Sequence, residues 1–265
     1  LFLNNDVEVT PNWLDGLNDV FTSNENIAVA QPKLLAYNAK DTFEYAGAAG
    51  GFIDAYGYPF CRGRIFEEVE KDLGQYDTEE SIFWASGAAL AIKKELFIEL
   101  GGFDEDFEFH MEEIDLCWRV QRLGHEIRYT PNSVVFHLGG GSLAMGSPRK
   151  VYYNFRNNLF MLWKNYSSSE LVFRFPIRFL LDIVAAYKSL FSGNIQEFLA
   201  IAKAHLHFIG SFFKIQRKRT SIKSKRPSSL FGKRSFSIII AYFLRGNKKY
   251  SELPNDKKNL GHRFL

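Results

Sequence analysis

The first 32 residues constrain the fold more than any other stretch. Leu1 to Leu3 is a short apolar run that breaks into Asn4-Asn5-Asp6, and Val7-Glu8-Val9 alternates behind it. Trp13, Leu14, Leu17, Val20 and Phe21 then share one face at helical spacing, with Thr10 positioned to cap that helix and Pro11 at its first position. Ile27 to Gln31 reads as a further strand, closed by Pro32. Strand, helix, strand is the rhythm of an open α/β sheet, where ligands sit beyond the strand C-termini. Asn4, Asn5 and Asp6 therefore fall where a ligand would lie.

Further along, Tyr45 to Arg64 interleaves glycine with aromatics and predicts short strands and turns, followed by an acidic, mobile segment at Glu67 to Glu80. Phe83 to Ile92 reads as a buried strand. Lys93 to Leu100 reads as a short helix ended by Gly101-Gly102. The small residues Ala85 to Ala89 permit close approach of either a neighbouring chain or a substrate. Phe103 to Gly124 then gathers Asp104, Glu105, Asp106, Glu108, Glu112, Glu113 and Asp115 before or within an amphipathic helix. Its apolar stripe is Leu116, Val120 and Leu123, and Gly124 caps its end. Acids at the mouth of a packed helix suit a general base or a metal site, and equally answer the helix's free N–H groups and dipole. Pattern alone leaves both open.

Two short strands, Glu126 to Tyr129 and Ser133 to Phe136, lead to His137 and a loop, Leu138-Gly139-Gly140-Gly141-Ser142. A helix from Tyr152 to Trp163 brings Arg149, Lys150 and Arg156 near that loop. Net charge divides sharply: residues 1–170 carry 14 Lys or Arg against 26 Asp or Glu, whereas residues 171–265 carry 19 against 4. The first part is an ordinary acidic domain, and the second meets a negatively charged surface. Phe-rich interrupted segments at 171–184 and 198–215 adjoin nine basic residues and no acid between Lys214 and Arg234. This combination suits the interface of an anionic membrane; the competing reading is a helical subdomain with a disordered basic tail that could touch nucleic acid. No run of 18 apolar residues occurs. Cys61 and Cys117 are too few and too isolated for a disulfide scaffold or a zinc site, so a reducing compartment is the default. The chain opens without methionine inside a buried-strand pattern, which leads us to expect a fragment lacking earlier strands.

Five segments occur together in a familiar order: Leu3-Asn4-Asn5-Asp6-Val7-Glu8-Val9, Trp84-Ala85-Ser86-Gly87-Ala88, Gly101-Gly102-Phe103-Asp104-Glu105-Asp106-Phe107, Glu112-Glu113-Ile114-Asp115-Leu116-Cys117-Trp118-Arg119 and His137-Leu138-Gly139-Gly140-Gly141-Ser142. Over residues 1–165 the chain resembles family 2 glycosyltransferases of the GT-A fold, most of all rhamnosyltransferase-like bacterial enzymes of surface polysaccharide synthesis. The resemblance implies an α/β, Rossmann-like mixed sheet whose N-terminal nucleotide-binding strands are missing, followed by a helical C-terminal region. Domains are expected at 1–165 (catalytic), 166–215 (amphipathic, membrane-associated) and 216–265 (basic tail with a short helix).

By the same resemblance, a sugar passes with inversion from a nucleotide-sugar donor to a saccharide or polyprenyl-diphosphate-linked acceptor, with Mg2+ or Mn2+ as cofactor. Asp6 and His137 would hold the metal. Glu113, or Glu112 beside it, would be the base, since the family's usual Glu-Asp pair is Glu-Glu here. Asn5, Trp84, Gly87, Asp104, Arg149 and Arg156 would line the donor and acceptor sites, while Asp115 supports the structure. The partners implied are the donor, the acceptor and an anionic membrane rather than nucleic acid, with the protein peripheral on the cytoplasmic face of a bacterial plasma membrane. Two further classes stay open: a non-catalytic carbohydrate- or nucleotide-binding module of the same shape, and a metal-assisted hydrolase using Glu112, Glu113 and Asp6.

Overall fold

A computed structural model describes residues 1–139, 146–221 and 229–254. The chain divides into two units, one formed by Leu1–Ile92, Glu126–Gly139 and the segment from Ser229, the other by Lys93–His125 and the segment ending at Ser228. This division differs from the boundaries that composition suggested at 165/166 and 215/216.

In the first unit β1 (Phe2–Leu3), β2 (Val7–Val9), α1 (Trp13–Ser23), β3 (Ile27–Ala36) and β4 (Ala39–Phe43) are followed by β5 (Gly51–Ile53), β6 (Pro59–Cys61), β7 (Arg64–Ile65) and β8 (Glu68–Val69). Then come β9 (Glu80–Ser81), β10 (Ala89–Ile92) and β11 (Glu126–His137). The main sheet has the order β1-β10-β3-β11-β2, with β4 on β3 and β9 on β11; β5 to β8 form a second, antiparallel sheet. Only β3 and β11 run parallel, so the sheet is mixed. The expected strand-helix-strand unit is present as β1-α1-β3: β10 is antiparallel to both strands and lies between them, leaving them parallel.

Nine of the ten residues of β3 are buried, as in a central strand covered on both faces. Leu17 and Val20 of α1 pack on Ile27, Ala30 and Ala91, while Leu14 faces outward. Helix α1 approaches so closely that a Cβ on Gly16 would stand 2.7 Å from the Asn132 carbonyl. Thr10 does not cap it. Its hydroxyl donates to the Val134 carbonyl at 2.8 Å, and the helix starts at Trp13 behind a left-handed Asn12. Pro32 does not close β3 either; the strand continues to Ala36, and its register with β11 jumps between Thr130 and Val134, opposite the residue that has no N–H to give. The two strands expected around Thr130 are thus one irregular strand.

The acidic segment 67–80 is tied down rather than loose. Lys33, buried in β3, bonds Asp72 at 2.7 Å and also Asp77, and the Tyr76 hydroxyl donates to Glu70. Only Ala89–Ile92 of the expected strand at 83–92 is regular, because the Ser86 N–H is taken by the Gln31 side chain at 2.8 Å. Residues 229–254 return to the small sheet: the Ile238 N–H donates to buried Asp54, and Tyr250 packs on Phe52 and Phe60.

The second unit is helical: α2 (Lys94–Glu99), α3 (Glu112–Arg122), α4 (Pro148–Asn165), α5 (Ser168–Phe173), α6 (Phe175–Phe191), α7 (Ile195–Gly210) and α8 (Phe212–Ser221). Gly124, at φ +90°, follows the end of α3 as a left-handed terminator should. Helix α4 is central, packing against α3, α6, α7 and α8. Asp115, with no exposed surface, binds Arg119 at 2.9 Å, Lys164 at 3.0 Å and Asn165 at 2.8 Å, and so joins α3 to α4. Trp163 stacks edge-on with Phe175 and Phe212.

Candidate active site

In the first unit the ladder itself delivers His137. As the last residue of β11 it lies opposite Ala36 of β3 on one side and Val7 of β2 on the other, so Asp6, one residue before β2, comes beside it. The Leu138 N–H donates to the Asp6 carbonyl at 3.0 Å and fixes this corner. His137 Nε2 is 3.2 Å from Asp6 Oδ1, and Nδ1 is 3.2 Å from Glu44 Oε1. His137 and Glu44 are buried (7% and 5% exposed) and Asp6 is open at 27%. Neither ring nitrogen is aligned for a hydrogen bond despite the short separations. Burial alone would lower the His137 pKa, but Glu44 and Asp6 outweigh it and hold the ring protonated to higher pH than usual. A side chain at Gly139, which has φ +66°, would meet Glu44 Oε1 at 3.1 Å.

The donor set suits a divalent ion. Two ligands at adjacent corners of an octahedral Mg2+ or Mn2+ stand roughly 3 Å apart when each bond is about 2.1 Å, and the Asp6–His137 pair has that separation. Glu44 would then hold the ring from its far nitrogen, as carboxylates behind metal-bound histidines do. Among the described residues no three His, Cys, Asp or Glu side chains gather around one metal point. Sequence reasoning missed Glu44; its only sequence signal is the strand before it.

In the second unit the acid pair opens α3. Its presentation depends on an uncommon backbone, since His110 (φ +65°) and Met111 (φ +74°) are consecutive left-handed residues without glycine. Asn157 of α4 holds this turn, donating from Nδ2 to the carbonyls of Phe109 at 2.6 Å and His110 at 2.9 Å. Arg156 adds a bond to the Asp106 carbonyl at 2.8 Å and another to the Asn157 amide oxygen at 2.8 Å. Glu112 and Glu113 keep partial exposure as residues, yet Oε2 of each is sealed from solvent without a hydrogen-bond partner. Burial pushes both carboxyls above the ordinary range; for Glu113 the neighbouring Glu112 pushes further, against a smaller lowering by backbone N–H groups.

The remaining expected site residues divide. Asn5 is exposed and Gly87 half-buried, in turns that meet where the Asn4 N–H donates to the Ala88 carbonyl at 3.0 Å. Arg149 is exposed over the rings of Phe109 and Tyr153. Three others are consumed by the fold. Trp84 is buried against Gly51, and its indole donates to the Phe52 carbonyl at 3.0 Å. Asp104 is held by Lys164 and Lys218, and although burial opposes it, these cations keep its carboxyl well below the usual range. Arg156 is the buried clamp already described. Gly140, Gly141 and Ser142 lie outside the described residues.

The α/β unit thus carries a His–carboxylate corner at a strand end, and the helical unit a sealed acid pair. Residues 1–175 match the family described as "Glycosyltransferase like family 2", and the chain belongs to that family. It is similar to the O-antigen biosynthesis protein RfbC of Myxococcus xanthus, with 30% identity over 139 residues, covering 52% of this chain and 10% of that protein. It is also similar to the dTDP-rhamnosyl transferase RfbF of Shigella flexneri, with 26% identity over 160 residues, 53% of each chain. The chain thus spans between a tenth and about half of the length of these relatives. Among solved structures it is similar to GalNAc-T7 with UDP, GalNAc and Mn2+, at a TM-score of 0.43 and 18% identity, covering 62% of this chain and 31% of that one.

Proposed function

We propose that this chain carries the acceptor-activating and metal-holding parts of an inverting glycosyltransferase. The enzyme would move a sugar from a nucleotide-sugar donor, with a deoxyhexose such as rhamnose the first candidate, to a saccharide acceptor. That acceptor would be a lipid-diphosphate-linked glycan of surface polysaccharide assembly, met at the cytoplasmic leaflet. The observation that carries the reading is the Glu112–Glu113 pair, two carboxylates each with an oxygen sealed from water and unpartnered in a family 2 glycosyltransferase.

The step follows from the chemistry of these groups. Glu113 accepts the proton of the acceptor hydroxyl as that oxygen bonds to the anomeric carbon; the bond from that carbon to the donor diphosphate breaks, and the nucleoside diphosphate leaves with the electron pair. A single displacement from the opposite face inverts the configuration and needs no second nucleophilic carboxylate. A raised pKa makes Glu113 a stronger base once ionised, with burial the larger cause and the neighbouring Glu112 the second. Asp6 and His137 would hold a divalent cation, which when bound would supply charge neutralisation for the departing diphosphate. Glu44 Oε1, 3.2 Å from the ring's other nitrogen, would steady His137 from behind.

The test is product formation from a panel of nucleotide sugars and a polyprenyl-diphosphate-linked acceptor, with the anomeric configuration read by NMR. An axial-to-equatorial or equatorial-to-axial change supports the reading. Retained configuration, or hydrolysis of the donor with no transfer to the acceptor, contradicts it.

A further inference from the structure

Helix α6 is built inside out. Its buried stripe, Phe175, Arg178, Asp182 and Ala186, contains an ion pair in which Arg178 Nε donates to Asp182 at 2.9 Å, with neither side chain more than 3% exposed. The opposite stripe of Ile177, Leu180, Val184, Tyr187 and Phe191 is 42–85% exposed. Helix α7 buries Ala200, Ile201, Ala204 and Phe208 with His205, yet also leaves Ile195, Leu199, Leu206 and Ile209 at 56–70% outside. The two apolar faces join at the turn between the helices, where the Tyr187 ring lies 6.3 Å from Phe191 and 6.0 Å from Phe198. A helix facing water shows the reverse pattern, and monomers in water expose apolar side chains singly rather than as whole helical stripes.

Charge selects the occupant. On α6 and α7 the exposed charges are Lys188 and Lys203, while Asp182 is buried and Glu197 half-buried, so a second copy of this face would set like charge on like charge. An anionic bilayer takes the apolar stripe among its acyl chains and the cations among its headgroups. Among the described residues no single helix is long and apolar enough to cross a membrane; α7 and α8 pass that test only together and are bent 63° at their junction. We infer that the outer face of α6 and α7 is a docking surface lying in the plane of an anionic lipid interface, held chiefly by apolar insertion. This goes beyond the composition of the basic stretch, and it stands whether or not the sugar-transfer reading does.

Flotation of the full chain with phosphatidylcholine–phosphatidylglycerol vesicles tests it. The protein should float, should remain largely bound in high salt, and should bind phosphatidylcholine alone more weakly. A Leu180→Ser/Val184→Ser/Phe191→Ser variant, altered only at exposed positions, should lose roughly tenfold or more in partitioning with unchanged circular dichroism. Phe191→Asp alone provides the same reading should the triple variant fold poorly. Wild-type protein that stays in the aqueous fraction, variants that float as well as wild type, equal binding to neutral vesicles, or a lipid-free dimer dissolved by the triple variant would each overturn the inference.

Discussion

Glu113 carries two opposed demands, because the burial that raises its pKa also makes its charge costly to the fold. A carboxyl whose pKa is higher folded than unfolded binds more protons in the native state, so native stability falls as pH rises from about 4.5, its ordinary value, toward about 8. Glu113→Gln removes that penalty. The variant should match wild type near pH 4.5 and melt at a higher temperature at pH 8, while turnover falls by about 10²–10⁴; equal melting temperatures at pH 8 would contradict the burial argument. At the other cluster, Glu44→Gln should weaken Mn2+ binding about 10–100-fold, read by electron paramagnetic resonance of free Mn2+ without substrate. Unchanged binding would remove Glu44 from its positioning role. The positions were legible in the sequence: the carboxylates of α3 from pattern, and His137 from its place at a strand end before glycines. Glu44 was not, since a single glutamate after a strand acquires meaning only when β4, β3 and β11 pair. Trp84, Asp104 and Arg156 each have a partner within the fold, a carbonyl or an ion pair that sequence alone does not show.

The presentation of the acid pair belongs to α4 and to the left-handed turn before α3. Asn157→Ala removes both donors from the carbonyls of Phe109 and His110 and leaves two strained residues unsupported. It should cost about 1–3 kcal/mol by chemical denaturation and lower kcat more than it raises KM; a loss of stability with kcat intact would make the turn merely structural. Where α1 crosses β11, Gly16→Ala forces a methyl against backbone at 2.7 Å that cannot give way as a flexible side chain would. A destabilisation of about 1–3 kcal/mol is expected, and a neutral result would mean that helix and strand are less tightly apposed. Helix and strand identities were legible from periodicity over α1, α2, α3 and β3. Boundaries were not, because long-range bonds set them: the Thr10 hydroxyl is spent on Val134, Pro32 is absorbed by a register jump, and Gln31 captures the Ser86 N–H.

For the whole molecule, the match to the glycosyltransferase like family 2 spans residues 1–175 and so includes both the His–carboxylate corner of the α/β unit and the acid pair of the helical unit. The uneven charge along the chain separates an acidic stretch from a basic one. It did not reveal that α6 and α7 turn their apolar sides outward, since that depends on Arg178 and Asp182 pairing within. The basic run from Lys214 to Arg234 lies partly outside the described residues. Whether Glu113 takes the acceptor proton is decided by comparing sugar transfer by wild type and by Glu113→Gln under saturating donor, with donor binding followed by calorimetry. Wild type should transfer sugar, and the variant should lose at least about a hundredfold with nearly equal donor affinity. Transfer by Glu113→Gln at the wild-type rate would contradict proton transfer to Glu113.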